Sequence, residues 1–261
     1  MTTIVVPCFN ETQRLRGEDF LRLTREEGAR LLFVDDGSTD GTAAALRVLA
    51  ARAADRIDVL ALAENRGKAE AVRLGLLRAL DGGATVVGYV DADLATPVEE
   101  ISRLLAELAR RPEVAVVMGA RVKLLGTRIE RHQWRHYLGR LFATVASLLL
   151  ALPVYDTQCG AKFFRAGDRL RESLATAFRT RWAFDVELIG RLLWAPGASA
   201  PLRPEHFLEV PLHTWTDVSG SKMRALQSLK AGLDLLVIGI SLRRRRRGQS
   251  RAASVRSSMR W

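Results

Sequence analysis

Cysteine is scarce in this chain, and its two copies, Cys8 and Cys159, cannot build a disulfide framework. We expect free thiols in a reducing compartment. Long apolar runs are also missing. The nearest candidates, residues 138–154 and 231–242, each contain a charged residue and fall short of the roughly 18–20 apolar residues that span a bilayer. We therefore expect neither segment to cross a membrane, although both are suited to an interface.

A basic leader and a small-residue cleavage site are absent from the first residues. Instead, Met1 is followed almost at once by an apolar, strand-like run that ends at Pro7. A secretory signal needs the missing features. The sequence therefore predicts a cytoplasmic protein.

Acidic residues are absent from the tail, residues 243–261, which holds eight arginines. Because the formal net charge of the chain is +11, the residues before the tail carry only +3. The tail is rich in arginine, serine and alanine, so we expect it to be disordered. The basic balance raises the alternative of a nucleic-acid-binding module. The concentration of charge in the tail and the lack of a nucleic-acid motif argue against such a partner.

Short apolar runs alternate with amphipathic segments through the first 120 residues. Predicted strands are Thr3–Val6, Leu31–Val34, Val59–Leu62, Val86–Val90 and Val114–Met118, and predicted helices are Ala43–Ala54, Ala69–Leu80 and Val98–Arg110. This order predicts an α/β fold with a mostly parallel central sheet and helices on both faces. After about Arg121 the alternation stops. There we expect helices near Asp168–Ala177 and Phe184–Leu193 and a strand at Phe207–Pro211.

Acidic residues follow three of the predicted strands, where parallel sheets bind their ligands. Glu11 follows the first strand, Asp36 the second, and Asp91 and Asp93 the fourth. Two carboxylates so close together after a buried strand are costly unless a cation sits between them. Mg²⁺ and Mn²⁺ prefer such oxygen ligands. The alternatives are an exposed turn at Asp91–Asp93 and a helix-capping turn at Asp35–Ser38.

The turn Asn65–Lys68 follows the third predicted strand and leads into a helix. A glycine turn at a helix N-terminus offers backbone N–H groups to a phosphate, and Lys68 adds a positive charge. A solvated lysine is the alternative. Asp185 and Glu187 are further candidates for catalysis, but Asp185 is equally suited to capping the helix that it begins.

Together these motifs resemble the large inverting glycosyltransferase family 2, which has the GT-A fold. Three later motifs are similar to its dolichyl-phosphate β-glucosyltransferase branch, which is close kin to dolichol-phosphate mannose synthases and polyprenyl-phosphate sugar transferases. They are Asp156–Phe164, Arg181–Leu188 and Trp215–Lys222. The resemblance runs from residue 3 to about 240. Ala95 stands where the mannose synthases often carry a metal-assisting glutamine, and this departure favours the glucosyl branch.

The resemblance implies a role for each matching residue. It places Pro7, Glu11 and Asp36 in the nucleoside pocket, with Lys68, Asp91 and Ala92 near the nucleotide and its diphosphate. It makes Asp91 and Asp93 the holders of Mg²⁺ or Mn²⁺. Arginines near the acceptor phosphate and a loop lysine complete the set of catalytic residues: Asp93, Arg121, Arg131, Arg135 and Lys222.

The predicted function is transfer of a hexose, glucose from UDP-glucose by the branch's expectation, to a polyprenyl or dolichyl phosphate. The predicted location is the inner face of the cell membrane, as a peripheral enzyme. Predicted regions are a catalytic domain at 1–222 with an interfacial helix at about 136–153, an amphipathic helix at 223–242 and the tail. A membrane partner protein or a homo-oligomer is compatible with this location. The alternatives are a GDP-mannose donor, or a soluble acceptor, which would need a general base.

Overall fold

Strands and helices alternate through the first 120 residues, as the sequence predicts. The structure is a computed structural model that describes residues 1–130, 133–194, 197–216, 234–235 and 237–241, with the backbone alone at 130 and 133–138. The first half contains β1 (Thr2–Cys8), α1 (Gly17–Glu27), β2 (Arg30–Asp35), α2 (Thr42–Ala51), β3 (Ile57–Ala61), α3 (Lys68–Asp81), β4 (Val86–Val90), α4 (Val98–Arg110) and β5 (Val116–Ala120). Of these elements, the sequence analysis missed only α1.

The second half is less regular. It contains β6 (Arg128–Glu130), α5 (Gln133–Leu150), β7 (Ala161–Arg165), α6 (Asp168–Leu174), α7 (Phe184–Trp194), a 3₁₀ turn (Pro204–His206), β8 (Phe207–Pro211) and β9 (Thr214–Thr216). The start of α6, the start of α7 and the bounds of β8 agree with the sequence predictions. Helix α5 begins and ends three residues earlier than the predicted interfacial helix.

Within the described residues, seven strands form one sheet in the order β3-β2-β1-β4-β7-β5-β8. The neighbours β3–β2, β2–β1, β1–β4 and β5–β8 are parallel, whereas β7 runs antiparallel to both β4 and β5. The prediction of a mostly parallel sheet is confirmed. Strands β6 and β9 form a separate parallel pair.

Helices cover both faces of the sheet. Side chains of successive strand residues point to opposite faces, so apolar residues of one strand pack against both helical layers. Val5 of β1 belongs to a hydrophobic cluster with residues of α3, α5 and α7, whereas Ile4 and Val6 belong to a second cluster with residues of α1, α2 and α4. Buried apolar surface on each face therefore packs the sheet between two helical layers.

Near the C-terminus, residues 234–235 and 237–241 are helical. The remainder of the predicted helix 223–242 and the whole predicted tail lie outside the described residues. Within the described residues, none of the helices combines the length and the apolar character that a bilayer span needs.

Candidate active site

The parallel strands β1, β2 and β4 bring the acidic segments to one edge of the sheet. Cys8 of β1 is level with Asp35 of β2, and Asp91 follows Val90, the last residue of β4. The backbone N–H of Asp91 donates to the carbonyl of Gly160 at 3.1 Å. The motif before β7 therefore reaches the same edge, which is where open α/β sheets bind ligands.

Each carboxylate of the Asp91–Asp93 pair faces a cation. Lys68 Nζ lies 2.5 Å from Asp91 Oδ1, and Arg14 Nη1 lies 3.8 Å from Asp93 Oδ2. Arg14 also donates to Glu11 Oε1 at 2.6 Å. The Lys68 and Asp91 side chains are 38% and 35% exposed, so an incoming ligand has access to this pair.

Burial raises the pKa of Asp93, and the charge of Asp91 raises it further. The Ala95 amide, Arg14 and Lys68 lower this pKa but do not restore its ordinary value. A divalent cation between the two carboxylates would remove the repulsion. Among the described residues, no group of three His, Cys, Asp or Glu side chains could enclose a metal ion. Two carboxylates supply oxygen ligands of the kind that Mg²⁺ and Mn²⁺ take together with phosphate and water oxygens.

Gly160 gives Asp91 its room. A Cβ atom at residue 160 would lie 1.9 Å from Asp91 Oδ2, well inside van der Waals contact. Any larger residue would displace the carboxylate or the loop. The close approach of Asp91 therefore requires glycine at residue 160.

Asp36 shapes the turn that precedes α3. Its Oδ1 and Oδ2 accept hydrogen bonds from the N–H groups of Arg66 and Gly67, at 2.7 and 2.8 Å. Asp36 is 2% exposed, and burial raises its pKa although these amides and Arg181 oppose the rise. The sequence predicts that the N–H groups of this turn bind a phosphate. In the structure these two amides bind Asp36 instead, and the turn presents Lys68 to Asp91.

A second lysine–aspartate pair lies buried behind the first. Lys162 Nζ donates to Asp185 Oδ1 at 2.7 Å and to the carbonyl of Cys159 at 2.6 Å. The Tyr89 hydroxyl also donates to Asp185 Oδ1. Asp185 is thus bound by side chains from β4 and β7.

Burial lowers the pKa of Lys68, but the negative charges of Asp91 and Asp185 more than offset this effect. The pKa of Lys68 is therefore raised, and Lys68 stays charged.

A basic pocket lies between α5 and the loop that precedes β7. Arg121 donates to both carboxylate oxygens of Asp156, at 2.7 and 2.9 Å. The guanidinium of Arg140 stacks on the ring of Tyr155, 4.0 Å from its centroid. Thr157 also lines the pocket. Its hydroxyl is buried and has no hydrogen-bond partner within the described residues.

The predicted site residues fall into three groups. The donor-side set shares the carboxyl edge of the sheet: Pro7, Glu11, Asp36, Lys68, Asp91, Ala92 and Asp93. Arg121 lies in the basic pocket, where Asp156 pairs with it. Arg135 belongs to α5, of which only the backbone is described there, and Arg131 and Lys222 lie outside the described residues.

Three residues of these sites were missed by the sequence analysis. Arg14 follows Glu11 by three residues, a spacing that could have suggested their ion pair. In the sequence, Arg140 is recognisable only as the charge within the apolar stretch 138–154. Thr157 was quoted within a motif without a role, and nothing in the sequence marks its hydroxyl as unpartnered.

Known proteins resemble this chain in sequence. The family model described as Glycosyl transferase family 2 matches residues 3–189. Dolichyl-phosphate beta-glucosyltransferase of Mus musculus is 33% identical over 258 residues, covering 90% of this chain and 74% of the mouse protein. Polyprenol monophosphomannose synthase of Mycolicibacterium smegmatis is 29% identical over 228 residues, covering 85% of this chain and 83% of that protein.

A solved structure shares the fold. Glucosyl-3-phosphoglycerate synthase from Mycobacterium tuberculosis, in complex with Mn²⁺, UDP and phosphoglyceric acid, matches with a TM-score of 0.58 at 19% identity. The match covers 92% of this chain and 78% of that one. The family match extends over more than half of the residues and agrees with the acidic strand ends and the sheet order. The chain is therefore a glycosyltransferase of family 2 with the GT-A fold.

Proposed function

We propose that the chain transfers a hexose, with inversion, from a nucleotide sugar to a polyprenyl or dolichyl phosphate, and that the donor is UDP-glucose. The observation that carries this proposal is the carboxylate pair Asp91 and Asp93, with side chains 35% and 21% exposed, together with a pocket lined by Arg121 and Arg140. The first suits a metal-bound diphosphate and the second suits a phosphate monoester. The names of the mouse and mycobacterial relatives support a lipid phosphate acceptor, and the mouse name supports glucose.

On the donor side, Asp91 and Asp93 would hold Mg²⁺ or Mn²⁺, which supplies positive charge to the departing diphosphate. Lys68 keeps its proton beside Asp91 and adds a second positive charge at the same place. Pro7, Glu11, Asp36 and Ala92 are assigned to the nucleoside and nucleotide. In this role Asp36 acts through the turn that it holds, because both its oxygens bind backbone amides.

On the acceptor side, a phosphate monoester has a second pKa of about 6 and is already anionic at pH 7. It therefore needs positioning rather than a general base. Arg140 and Thr157 are assigned to its oxygens, with Arg121 fixed by Asp156 at the pocket wall. Planar guanidinium groups suit phosphate. Arg131 and Arg135 remain proposed acceptor-side residues, and Lys222 remains the proposed loop lysine that closes over the site.

A lipid acceptor requires contact with a membrane surface. Leu141, Val145 and Leu148 are exposed on α5 at a spacing that places them on one helical face. Val237 and Ile240 are exposed on the C-terminal helical segment. We propose that these apolar side chains face the interface. The arginines of the tail would bind anionic lipid at the inner face of the cell membrane, each contributing about 1 kcal/mol near the surface.

The test incubates purified protein with polyprenyl phosphate, Mn²⁺ or Mg²⁺, and radiolabelled UDP-glucose or GDP-mannose, followed by organic extraction. Label from UDP-glucose in the organic phase is the expected result. If only GDP-mannose gave label in the organic phase, the donor would be GDP-mannose instead of UDP-glucose. Label that enters only soluble phosphorylated acceptors, without binding to vesicles of anionic phospholipid, would overturn the lipid acceptor.

Variants then separate the two sides of the site. Arg140→Gln should raise the KM for polyprenyl phosphate about tenfold while the affinity for UDP stays unchanged, since one charged hydrogen-bond donor is lost. Thr157→Val, which keeps the shape without the hydroxyl, should raise it several-fold. Arg47→Gln, at an exposed arginine of α2, is the matched control and should change neither value. Weaker UDP binding in Arg140→Gln would place this residue on the donor side.

A further inference from the structure

Glu209 lies on β8, where it is level with Met118 of the neighbouring strand β5. Its carboxylate contacts the loop that precedes β7. Glu209 Oε2 accepts a hydrogen bond from the backbone N–H of Tyr155 at 2.7 Å, and Oε1 accepts one from the backbone N–H of Asp156 at 2.5 Å. Both carboxylate oxygens therefore bind the backbone of one dipeptide.

This dipeptide needs acceptors because it belongs to a loop and not to the sheet. Asp156 is 8% exposed, and a backbone N–H that is buried without a partner is costly. Hydrogen bonds to a carboxylate are stronger than those to a neutral oxygen. Glu209 therefore fixes the peptide groups of Tyr155 and Asp156 relative to strand β8.

The side chains of the dipeptide contact both arginines of the basic pocket. Arg140 Cζ lies 4.0 Å from the centroid of the Tyr155 ring. Asp156 accepts two hydrogen bonds from the Arg121 side chain, at 2.7 and 2.9 Å, and a third from the Arg121 backbone N–H at 3.1 Å. Each arginine thus contacts a residue whose backbone N–H binds Glu209.

The dipeptide also sets the turn that follows it. Asp156 Oδ1 accepts a hydrogen bond from the backbone N–H of Gln158 at 3.1 Å, so Thr157 lies within a turn that Asp156 closes. The dipeptide and this turn line the pocket, whereas Glu209 is not one of the described residues that line it. A substitution at Glu209 would therefore change the pocket through the backbone of the loop.

We propose that Glu209 is a positioning residue for the phosphate group of the acceptor. It acts through the backbone of Tyr155 and Asp156, whose side chains set the places of the two pocket arginines. Because a planar guanidinium binds phosphate in a limited set of orientations, a small rotation of the residue that it contacts weakens the interaction. The consequence for the acceptor rests on the proposed function, whereas the attachment of the loop to β8 does not.

The first test measures amide hydrogen exchange in the purified wild type, Glu209→Gln and Glu209→Ala. Glu209→Gln keeps one acceptor oxygen, but its NH₂ group faces the other backbone N–H. Exchange at residues 155 and 156 should therefore be about tenfold faster. Glu209→Ala removes both acceptors and should have a larger effect. Glu205→Gln is the matched control, because Glu205 is an exposed glutamate of the same segment that pairs with Arg203 at 3.1 Å, and it should leave exchange at these residues unchanged.

Kinetics with UDP-glucose and polyprenyl phosphate provide the second readout. Glu209→Gln should raise the KM for polyprenyl phosphate about tenfold, change kcat less than about threefold and leave the affinity for UDP unchanged. A general loss of structure would weaken UDP binding as well. When Glu209→Gln is combined with Arg140→Gln, the increase in KM should be smaller than the product of the two single increases, because both substitutions act on the same arginine.

Three outcomes would overturn the proposal. They are unchanged exchange at residues 155 and 156, an equal acceleration of exchange in β1, and a KM of the double variant that equals the product of the single effects. Suppose instead that Glu209→Gln speeds exchange at the dipeptide but the wild type transfers no hexose to polyprenyl phosphate. That result would overturn the proposed function and leave the attachment of the loop by Glu209 intact.

Discussion

Two lysine–aspartate pairs in this chain have similar chemistry and different surroundings. Lys68 and Asp91 lie 2.5 Å apart with side chains 38% and 35% exposed. Lys162 and Asp185 lie 2.7 Å apart with side chains 0% and 7% exposed. In the first pair, either residue can release the other and bind a ligand that arrives from solvent. The second pair is closed to solvent, so no ligand can reach it. Burial rather than residue type therefore separates an exchangeable pair from a structural one.

The buried pair offers the largest expected effect. Lys162→Met leaves Asp185 as a buried charge without its cation, so the free energy of unfolding should fall by about 3–5 kcal/mol. Lys68→Met, the matched variant at the exposed pair, should change it by less than about 1 kcal/mol. Urea denaturation monitored by circular dichroism measures both. Equal losses in the two variants would remove the distinction between the pairs.

For Asp93→Asn we expect the reverse of Lys162→Met: a large loss of transfer without a loss in the free energy of unfolding. Transfer should fall at least about a hundredfold, because a bound metal supplies several kcal/mol of charge stabilisation to the leaving diphosphate. The variant should not lose stability, since burial and Asp91 disfavour the charged form of Asp93. Thermal unfolding with and without MnCl₂ gives a second measurement. The increase in Tm that Mn²⁺ produces in the wild type should disappear.

An undiminished Mn²⁺-dependent increase in Tm in Asp93→Asn would refute the metal assignment, whatever happens to activity. Asp40→Asn is the control, because Asp40 is an exposed carboxylate of the same strand edge that accepts hydrogen bonds from Thr12 and Thr42. Its Mn²⁺ response should equal that of the wild type.

The sequence predicts the exposed pair better than the buried one. Acids at strand ends and a lysine at a helix start are local patterns, and parallel strands necessarily bring them to one edge. Strand β7 was not predicted, because its residue Lys162 interrupts an apolar run and reads as a surface position. Contacts that are distant in sequence make this lysine a core residue: Asp185 accepts a hydrogen bond from it, and the centroid of the Tyr89 ring lies 5.3 Å from its Nζ. The same reason hid Arg140, whose role depends on its contact with Tyr155 rather than on spacing.

Lys68→Met and Arg14→Met should have smaller effects on transfer than Asp93→Asn. Lys68→Met should lower kcat/KM about tenfold, because one positive charge near the diphosphate is lost while the carboxylates remain. Arg14 lies 3.8 Å from Asp93, and its loss should change kcat/KM only a few-fold. Steady-state kinetics at fixed ionic strength measure both values. A larger effect for Arg14→Met would make Arg14, not Lys68, the main cation of the donor site.

Asp36 is a third case, because this buried carboxylate binds backbone amides and not a lysine. Its substitution should give the smallest effect, a change in how the free energy of unfolding depends on pH. Burial raises its pKa above the ordinary value of 3.8 despite two amide hydrogen bonds. In the pH range that begins near 3.8 and extends upward to the raised pKa, the folded state binds more protons than the unfolded state. The free energy of unfolding contributed by Asp36 is therefore highest below this range and falls as pH rises through it.

Asp36→Asn removes this titration, so its free energy of unfolding should decrease less with rising pH than that of the wild type. Each unit of pKa displacement corresponds to about 1.4 kcal/mol. Urea denaturation between pH 4 and 7 gives the two slopes, and the comparison of slopes is unaffected by the amide hydrogen bond that asparagine loses at every pH. Parallel curves would mean that the Arg66 and Gly67 amides fully offset the burial of Asp36. In that case the amide hydrogen bonds would stabilise the charged form of Asp36 as well as a lysine stabilises the charged form of Asp91. The extent of burial alone would then not predict which carboxylate at this edge of the sheet has the higher pKa.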